Sequence, residues 1–256
     1  MKVRLAFLGD LHGNSEALKA VLEDIDKKGV DEIFCLGDLV GYGPDPEDVV
    51  QEIKKRAIKT IMGNYDDGVG HSRQSCGCSY APGRETEVGD ISLNWTIEHT
   101  SQEVKDFLKS LPRRLSFEVE NVKFLLVHGS PLSELLEYVT PHTDPERLQK
   151  IAQSTSEDVI VNGHTHIPMV RWVSGKLILN PGSVGRPKDA DPRASYMIVE
   201  VRRGTVQAHI VKVPYDVKKT VEKIVKNNLP LELATVLALG QTFDMGPGKI
   251  EFSVRM

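Results

Sequence analysis

Two histidines stand two residues apart in Gly163-His164-Thr165-His166, directly after the apolar run Val159-Ile160-Val161. Alternate side chains of an extended segment share one face, so both imidazoles can enter one pocket and hold a metal ion. A lone His-x-His pair is more often a hydrogen-bonded turn, so its partners must come from elsewhere. The ends of other apolar runs offer them: Asp10 and His12 in Gly9-Asp10-Leu11-His12, Asp38 in Gly37-Asp38-Leu39-Val40-Gly41, Asn64 in Gly63-Asn64-Tyr65-Asp66, and His128 before Gly129. Carboxylate, imidazole and amide oxygen together suit Mn²⁺, Fe or Zn²⁺, and fit neither an all-oxygen calcium site nor a thiolate zinc site. Seven ligands are too many for one ion and suit two ions that share a bridging carboxylate.

The elements that carry these residues are legible as patterns. Val3 to Leu8 reads as a buried strand delivering Asp10, and Asn14 caps a helix whose stripe of Leu18, Val21, Leu22 and Ile25 ends at Gly29. Ile33 to Leu36 repeats the strand and ends in Gly37-Asp38. Asp45 caps and Pro46 opens a second helix with Val49, Val50, Ile53 and Ala57 inward, and a third strand, Ile58 to Met62, ends in Gly63-Asn64. Three successive βα units predict parallel strands with ligands outside their carboxyl ends. Asp66 to about Pro82 reads as a loop at the mouth of the site, with helices over Glu85 to Glu98 and Gln102 to Ser110 behind it.

From Leu115 onward the pattern changes to strands at Ser116–Val119, Val122–Val127 and Asp158–Val161, with a short helix over Pro145–Ala152. Hairpins are predicted at Met169–Val173 with Leu177–Leu179, and at Ser195–Val201 with Thr205–Val213. This mainly antiparallel second half, with the parallel first half, predicts two mixed sheets stacked face to face with helices outside. The stripes Val217, Val221, Ile224, Val225 and Leu233, Val236, Leu237 predict a helical tail that could dock on the chain or serve a dimer. One domain over 1–256 is expected, with a core of about 1–213 and a tail of about 214–256.

Composition narrows the function. A net charge of −4 without a lysine-rich or arginine-rich block argues against nucleic acid beyond nucleotides or short oligonucleotides. No apolar stretch approaches the ~20 residues that cross a bilayer, and the opening apolar run is too short for a signal peptide, so a cytoplasmic protein is expected. Three cysteines do not describe a disulfide framework. Cys35 reads as a buried hydrophobe, whereas Cys76-Gly77-Cys78 could bind metal, titrate with redox state or be incidental. His71, His99, His142 and His209 read as surface or structural histidines, and Trp95 and Trp172 as core or edge packing residues.

The ordered set GDxH, GDxxG, GNxD, HG and GHTH, spanning residues 9 to 166 and followed by Asn180-Pro181-Gly182-Ser183, resembles the calcineurin-like metallophosphoesterase superfamily, in particular its small bacterial and archaeal phosphodiesterases. The resemblance implies a four-layer αββα sandwich. It implies one ion held by Asp10, His12, Asp38 and His166, a second held by Asp38, Asn64, His128 and His164, and Asp38 as the bridge. Manganese is the expected metal, with iron, zinc or nickel as alternatives. A hydroxide bridging the ions would attack phosphorus in line, hydrolysing a small phosphodiester or phosphomonoester, for instance a nucleotide.

Asp38, Asn64, Tyr65 and Asp66 are the expected catalytic residues, with Asp66 fixing a neighbouring side chain. The superfamily has His where this chain has Tyr65; a phenol stays protonated at neutral pH and is a less apt proton shuttle, which predicts a preference for good leaving groups. The Asp-Arg-Gly of protein phosphatases is absent from the second motif, which argues against that activity. Arg186 and Asn64 are the expected substrate-binding residues, with Arg193 behind Arg186, although a solvated surface loop is the plainer reading of that segment. The competing functions are a non-catalytic metal-binding scaffold for protein interaction, as in the retromer subunit that resembles this superfamily, and a nuclease.

Overall fold

The computed structural model describes residues 2–242. In chain order the first elements are β1 (Lys2–Leu8), α1 (Ser15–Lys28), β2 (Glu32–Cys35), α2 (Pro46–Lys55), β3 (Lys59–Thr60) and α3 (Asn64–Gly70). Next come α4 (Arg84–Glu98), α5 (Gln102–Ser110), β4 (Arg114–Val119), β5 (Val122–Val127), α6 (Pro145–Gln153) and β6 (Val159–Val161). The last are β7 (Met169–Val173), β8 (Lys176–Asn180), β9 (Ala194–Arg202), β10 (Thr205–Val213), α7 (Val217–Lys226) and α8 (Leu231–Leu239).

Two mixed five-stranded sheets result, ordered β10-β9-β1-β2-β3 and β4-β5-β6-β8-β7. In the first, β1, β2 and β3 run parallel, and the β9/β10 hairpin returns from the far end of the chain to pair antiparallel with β1. In the second, β5, β6 and β8 form a parallel centre between the antiparallel edges β4 and β7.

The period of two in the buried strands builds the layers. Leu5 and Phe7 of β1 meet Phe124, Leu126, Val159 and Val161 of the other sheet, while their neighbours Ala6 and Leu8 face the α1 stripe of Leu18, Val21 and Leu22. On the second sheet Leu125, Val127 and Ile160 turn the other way, onto Leu148 and Ile151 of α6. Phe7, Phe34, Phe117 and Phe124 stack between the sheets at centroid separations of 4.4 to 6.1 Å. Each fully buried side chain of this kind contributes roughly 1.5–3 kcal/mol. The expected order of helices, sheet, sheet and helix is therefore present, with both parallel centres presenting strand ends to one edge of the sandwich.

Several local expectations are corrected. Asn14 caps α1, accepting from the Ala17 amide at 3.1 Å, but Asp45 makes no cap bond; its carboxylate accepts from Ser15 Oγ and Lys223 Nζ instead. Ala57 lies beyond α2, exposed, because that helix stops at Lys55, and the third strand shortens to two residues paired only with β2. The expected mouth loop begins as α3, a short glycine-containing helix that Val69 anchors in the core. Trp172 is 65% exposed, because β7 is an edge strand whose Val170 and Trp172 face outward.

The helical tail packs on the chain: α7 and α8 lie together, Ile224, Leu233 and Leu237 join the core beside α1, and Thr220 Oγ1 donates to Asn14 Oδ1 at 3.0 Å. Residues 243–256 of the tail expected over about 214–256 lie outside the described residues. Among the described residues no helix is long and apolar enough to cross a membrane.

Candidate metal centre

At the common edge of the two sheets, the turns after β1, β2, β5 and β6 and the start of α3 bring together all seven residues singled out as ligands. Ligand atoms of Asp10, His12 and His166 lie within 4.8 Å of one another, and so do those of Asp38, His128 and His164. Asp38 Oδ2 stands between the groups, 3.6 Å from His12 Nε2 and 3.4 Å from His128 Nε2. Asn64 Oδ1 joins the second group, 3.0 Å from His128 Nε2, while in the first His166 Nε2 is 3.1 Å from His12 Nε2 and 3.5 Å from Asp10 Oδ1. Ligands at ~2.0–2.2 Å from a common ion are separated by about 3.0–3.6 Å, so these spacings suit coordination edges.

The main chain holds this geometry. His12, His128 and His166 each place Nδ1 on a backbone carbonyl, of Val40 at 3.1 Å, Leu36 at 2.7 Å and Arg186 at 2.6 Å respectively. In the neutral imidazole, donation from Nδ1–H leaves Nε2 as a bare lone pair facing the centre, the arrangement a metal-ligating histidine needs. Asp10, His12, Asp38, His164 and His166 all have left-handed backbones, with φ between 45° and 67°. Such conformations cost about 1–3 kcal/mol each and persist only where the surroundings enforce them. Gly63 shows how tightly these turns are set together: a Cβ there would fall 2.1 Å from Asp38 Oδ1.

The donor set fits cations. Among the described residues Asp10 Oδ2 and His164 Nε2 are buried with no hydrogen-bond partner, although Asp10 Oδ1 accepts from the His164 amide at 3.1 Å. Buried orphan acceptors in a group this dense are costly unless a cation completes them. Burial pushes the His12 imidazole down to about 3 and holds those of His164 and His166 well below their ordinary range, keeping them in the neutral, ligating form. Burial also opposes charge on His128 and Asp38, yet their mutual attraction outweighs it, raising His128 to about 9 and holding Asp38 below the usual carboxylate range. Asp10 is raised to about 7, by burial and then by the neighbouring Asp38 charge, with His128 opposing.

Asp66 fixes main chain where a neighbouring side chain was expected. Its carboxylate accepts from the amides of Asp38, Leu39 and Gly63 at 2.8 to 2.9 Å, tying the β2 and β3 ends together. Tyr65 is buried, its hydroxyl 2.7 Å from Tyr80 Oη and its ring edge-on to His12 at 5.5 Å.

Arg186 does not lie on a solvated loop: it is buried, with its guanidinium 4.1 Å from the centroid of the Tyr42 ring. Its expected companion Arg193 is instead exposed and paired with Asp191. A cavity of about 200 Å³ beside the centre is lined by Tyr42, Tyr80, Tyr138, Thr165, Arg186 and Lys188. Tyr42 packs edge-on to His12 at 4.8 Å and Tyr138 lies 4.0 Å from the His164 ring. Sequence reasoning missed these aromatics and Lys188. Tyr42, flanked by Gly41 and Gly43 just after the Asp38 motif, carried the one signal that could have flagged it. Burial and then Arg186 push the Lys188 ammonium down to about 8. Of the remaining histidines, exposed His71 ends α3 and His99 stacks on Trp95 at 4.1 Å, both outside the centre.

The chain is 36% identical over 262 residues to the uncharacterized protein MJ0912 of Methanocaldococcus jannaschii, covering 94% of this chain and all of that one. It is 27% identical to phosphodiesterase YfcE of Escherichia coli over 77% of this chain and 88% of that one. The crystal structure of a metallophosphoesterase from Sphaerobacter thermophilus superimposes with a TM-score of 0.74 at 30% identity, covering 94% of this chain and 100% of that chain. Residues 3–204 match the calcineurin-like phosphoesterase superfamily domain, a span that holds both sheets but for the last hairpin strand, and every residue of the candidate centre; the chain belongs to that superfamily.

Proposed function

We propose that the chain is a binuclear metal-dependent phosphoesterase that hydrolyses a small phosphodiester or phosphomonoester. The observation that carries this reading is the position of Asp38 Oδ2 between His12 Nε2 and His128 Nε2, as a carboxylate shared by two ligand groups requires. Asp10, His12, Asp38 and His166 would hold one ion, and Asp38, Asn64, His128 and His164 the other. Manganese is the expected metal, although iron, zinc and nickel suit the same donors. Bound there, two such ions would supply Lewis acidity toward the phosphoryl oxygens and toward a water for in-line displacement.

The chain's own groups complete the reaction. Arg186 and Lys188 supply positive charge beside the centre and orient the phosphoryl oxygens, with Asn64 as a further contact. Tyr42 fixes the Arg186 guanidinium by stacking. Burial holds the Tyr65 proton in place, so its hydroxyl donates a hydrogen bond without cycling a proton, which favours substrates whose leaving groups need no acid. A negatively charged chain with three free cysteines suits the reducing cytoplasm and a small phosphate ester, including a nucleotide.

The test is hydrolysis of bis(p-nitrophenyl) phosphate by metal-stripped protein restored with Mn²⁺, with bound metal counted in parallel. Turnover with two ions bound is expected. Two ions bound without turnover of any aryl or nucleotide ester overturns the enzymatic reading in favour of a metal-binding scaffold.

A further inference from the structure

Cys76-Gly77-Cys78 has no part in the reaction as described, yet it holds the Asn64 side chain. Asn64 Nδ2 donates to the Cys76 carbonyl at 3.0 Å and to Cys78 Sγ at 3.2 Å. With both N–H groups engaged there, Oδ1 turns toward His128 Nε2 at 3.0 Å. The two ends of a primary amide are nearly equal in size, so only its partners decide which faces a cation, and only the oxygen offers lone pairs. Gly77, at φ 73°, folds the turn so that the two cysteines flank the Asn64 amide, with Cys76 Sγ also 3.7 Å from Tyr80 Oη. Cys76 is buried and Cys78 partly exposed, so one thiol is open to a small reagent while the other waits beside it.

We propose that the Cys76-Gly77-Cys78 turn is a positioning device for Asn64, and that oxidation of its thiols to a disulfide releases the amide, so that thiol redox state sets the cation affinity of the Asp38, His128 and His164 group. This rests on the two-ion reading above. The oxidant is a low-molecular-weight disulfide. The accessible Cys78 thiol, losing its proton to solvent, attacks one of its sulfurs and expels one thiolate, which takes up a proton; Cys76, likewise deprotonated, then attacks the Cys78 sulfur of the mixed disulfide and expels the second. Two electrons pass from the pair to the oxidant, whose S–S bond is exchanged for one between Cys76 and Cys78. A disulfide brings the sulfurs to ~2.05 Å, drawing Cys78 Sγ toward Cys76 and away from Asn64 Nδ2. Cys78 acts only through Asn64, as a positioning residue.

Calorimetric titration of the metal-stripped full chain with Mn²⁺, reduced or treated with oxidised glutathione, tests the proposal. Reduced protein binds two ions, and the event lost in His128→Ala identifies the affected group. Oxidation weakens that event about 10–100-fold, the range for loss of an outer partner, and dithiothreitol restores it. Cys78→Ser, which leaves only the buried Cys76 thiol in the turn, keeps both events in the presence of oxidant. Cys78→Ala weakens the same event even when reduced, and Cys78→Ser recovers it, with thermal unfolding reporting that each variant is folded. Unchanged binding with the disulfide verified by intact mass, or a pair that stays reduced in excess oxidant, overturns the proposal alone. A reduced chain that does not bind two ions overturns the reading beneath it.

Discussion

The two ligand groups of the centre are built differently. Asp10, His12 and His166 all sit on left-handed backbone, and both of these histidines donate Nδ1–H to carbonyls of neighbouring turns. In the other group Asp38 and His164 share that left-handed backbone and His128 donates Nδ1–H to the Leu36 carbonyl, but Asn64 opens a helix without positive φ and is oriented by a thiol and a carbonyl of the Cys76-Gly77-Cys78 turn. The first group is fixed by turns that cannot change without moving the sheets. The second is fixed partly by side chains that can change their chemistry in place. One half of a binuclear site can therefore be rigid by construction while the other stays open to adjustment.

The most severe way to break this comparison is to remove the residue common to both halves. Asp38→Ala should abolish tight binding of both ions and lower turnover by well over about 100-fold, beyond the range for an outer partner; calorimetry showing one intact event would mean that Asp38 is not shared. Next, His166→Ala and His164→Ala should each remove one event, and not the same one. Loss of a single common event would erase the distinction between the halves.

Lys188→Met should raise KM about tenfold with a smaller change in kcat, since it removes charge beside the centre without touching the ligands. Tyr65→His should accelerate alkyl esters more than aryl esters, and equal gains would remove Tyr65 from the leaving-group side. The smallest effect is in the stability of the metal-free protein. The His12 value falls from the ordinary 6.5 to about 3, so its contribution is present above 6.5 and lost as pH falls toward 3. That of His128 rises to about 9, so its contribution is present below 6.5 and lost as pH climbs through 9. Denaturant midpoints of His12→Gln should flatten the acid limb only, and those of His128→Gln the alkaline limb only.

Much of this was legible because strand ends and ligands coincide. Each apolar run closing in Gly-Asp, Gly-Asn or His-Gly announced both a strand and a residue at its carboxyl end, and α1 announced itself through Asn14 and its apolar stripe. The α3 helix was not legible, since Gly68 and Gly70 weaken its propensity and its stability comes from Tyr65 and Val69 packing below it. Lys188 was not legible, and a solvated loop was the plainer reading around Arg186, for a related reason: the segment between Val184 and Ala194 has no period, and the placement of both cations depends on Tyr42 and the cavity wall, contacts far away in sequence. For Trp172 hydrophobicity left core and edge open, and only the sheet order places it on the edge strand. The orientation of Asn64 depends on a cysteine pair that no periodicity connects to it.

The five left-handed ligands also bear on the order of assembly. Each conformation is unfavourable in a free chain, and the residues that enforce them lie on two sheets brought together from positions 10 to 166. A half-formed sandwich lacks ligands from one sheet or the other, so cation binding is expected to follow closure of the sandwich and not to nucleate it. Refolding rates with and without Mn²⁺ should then coincide, and stripping the ion should leave the fold in place, as circular dichroism of the metal-free chain would show.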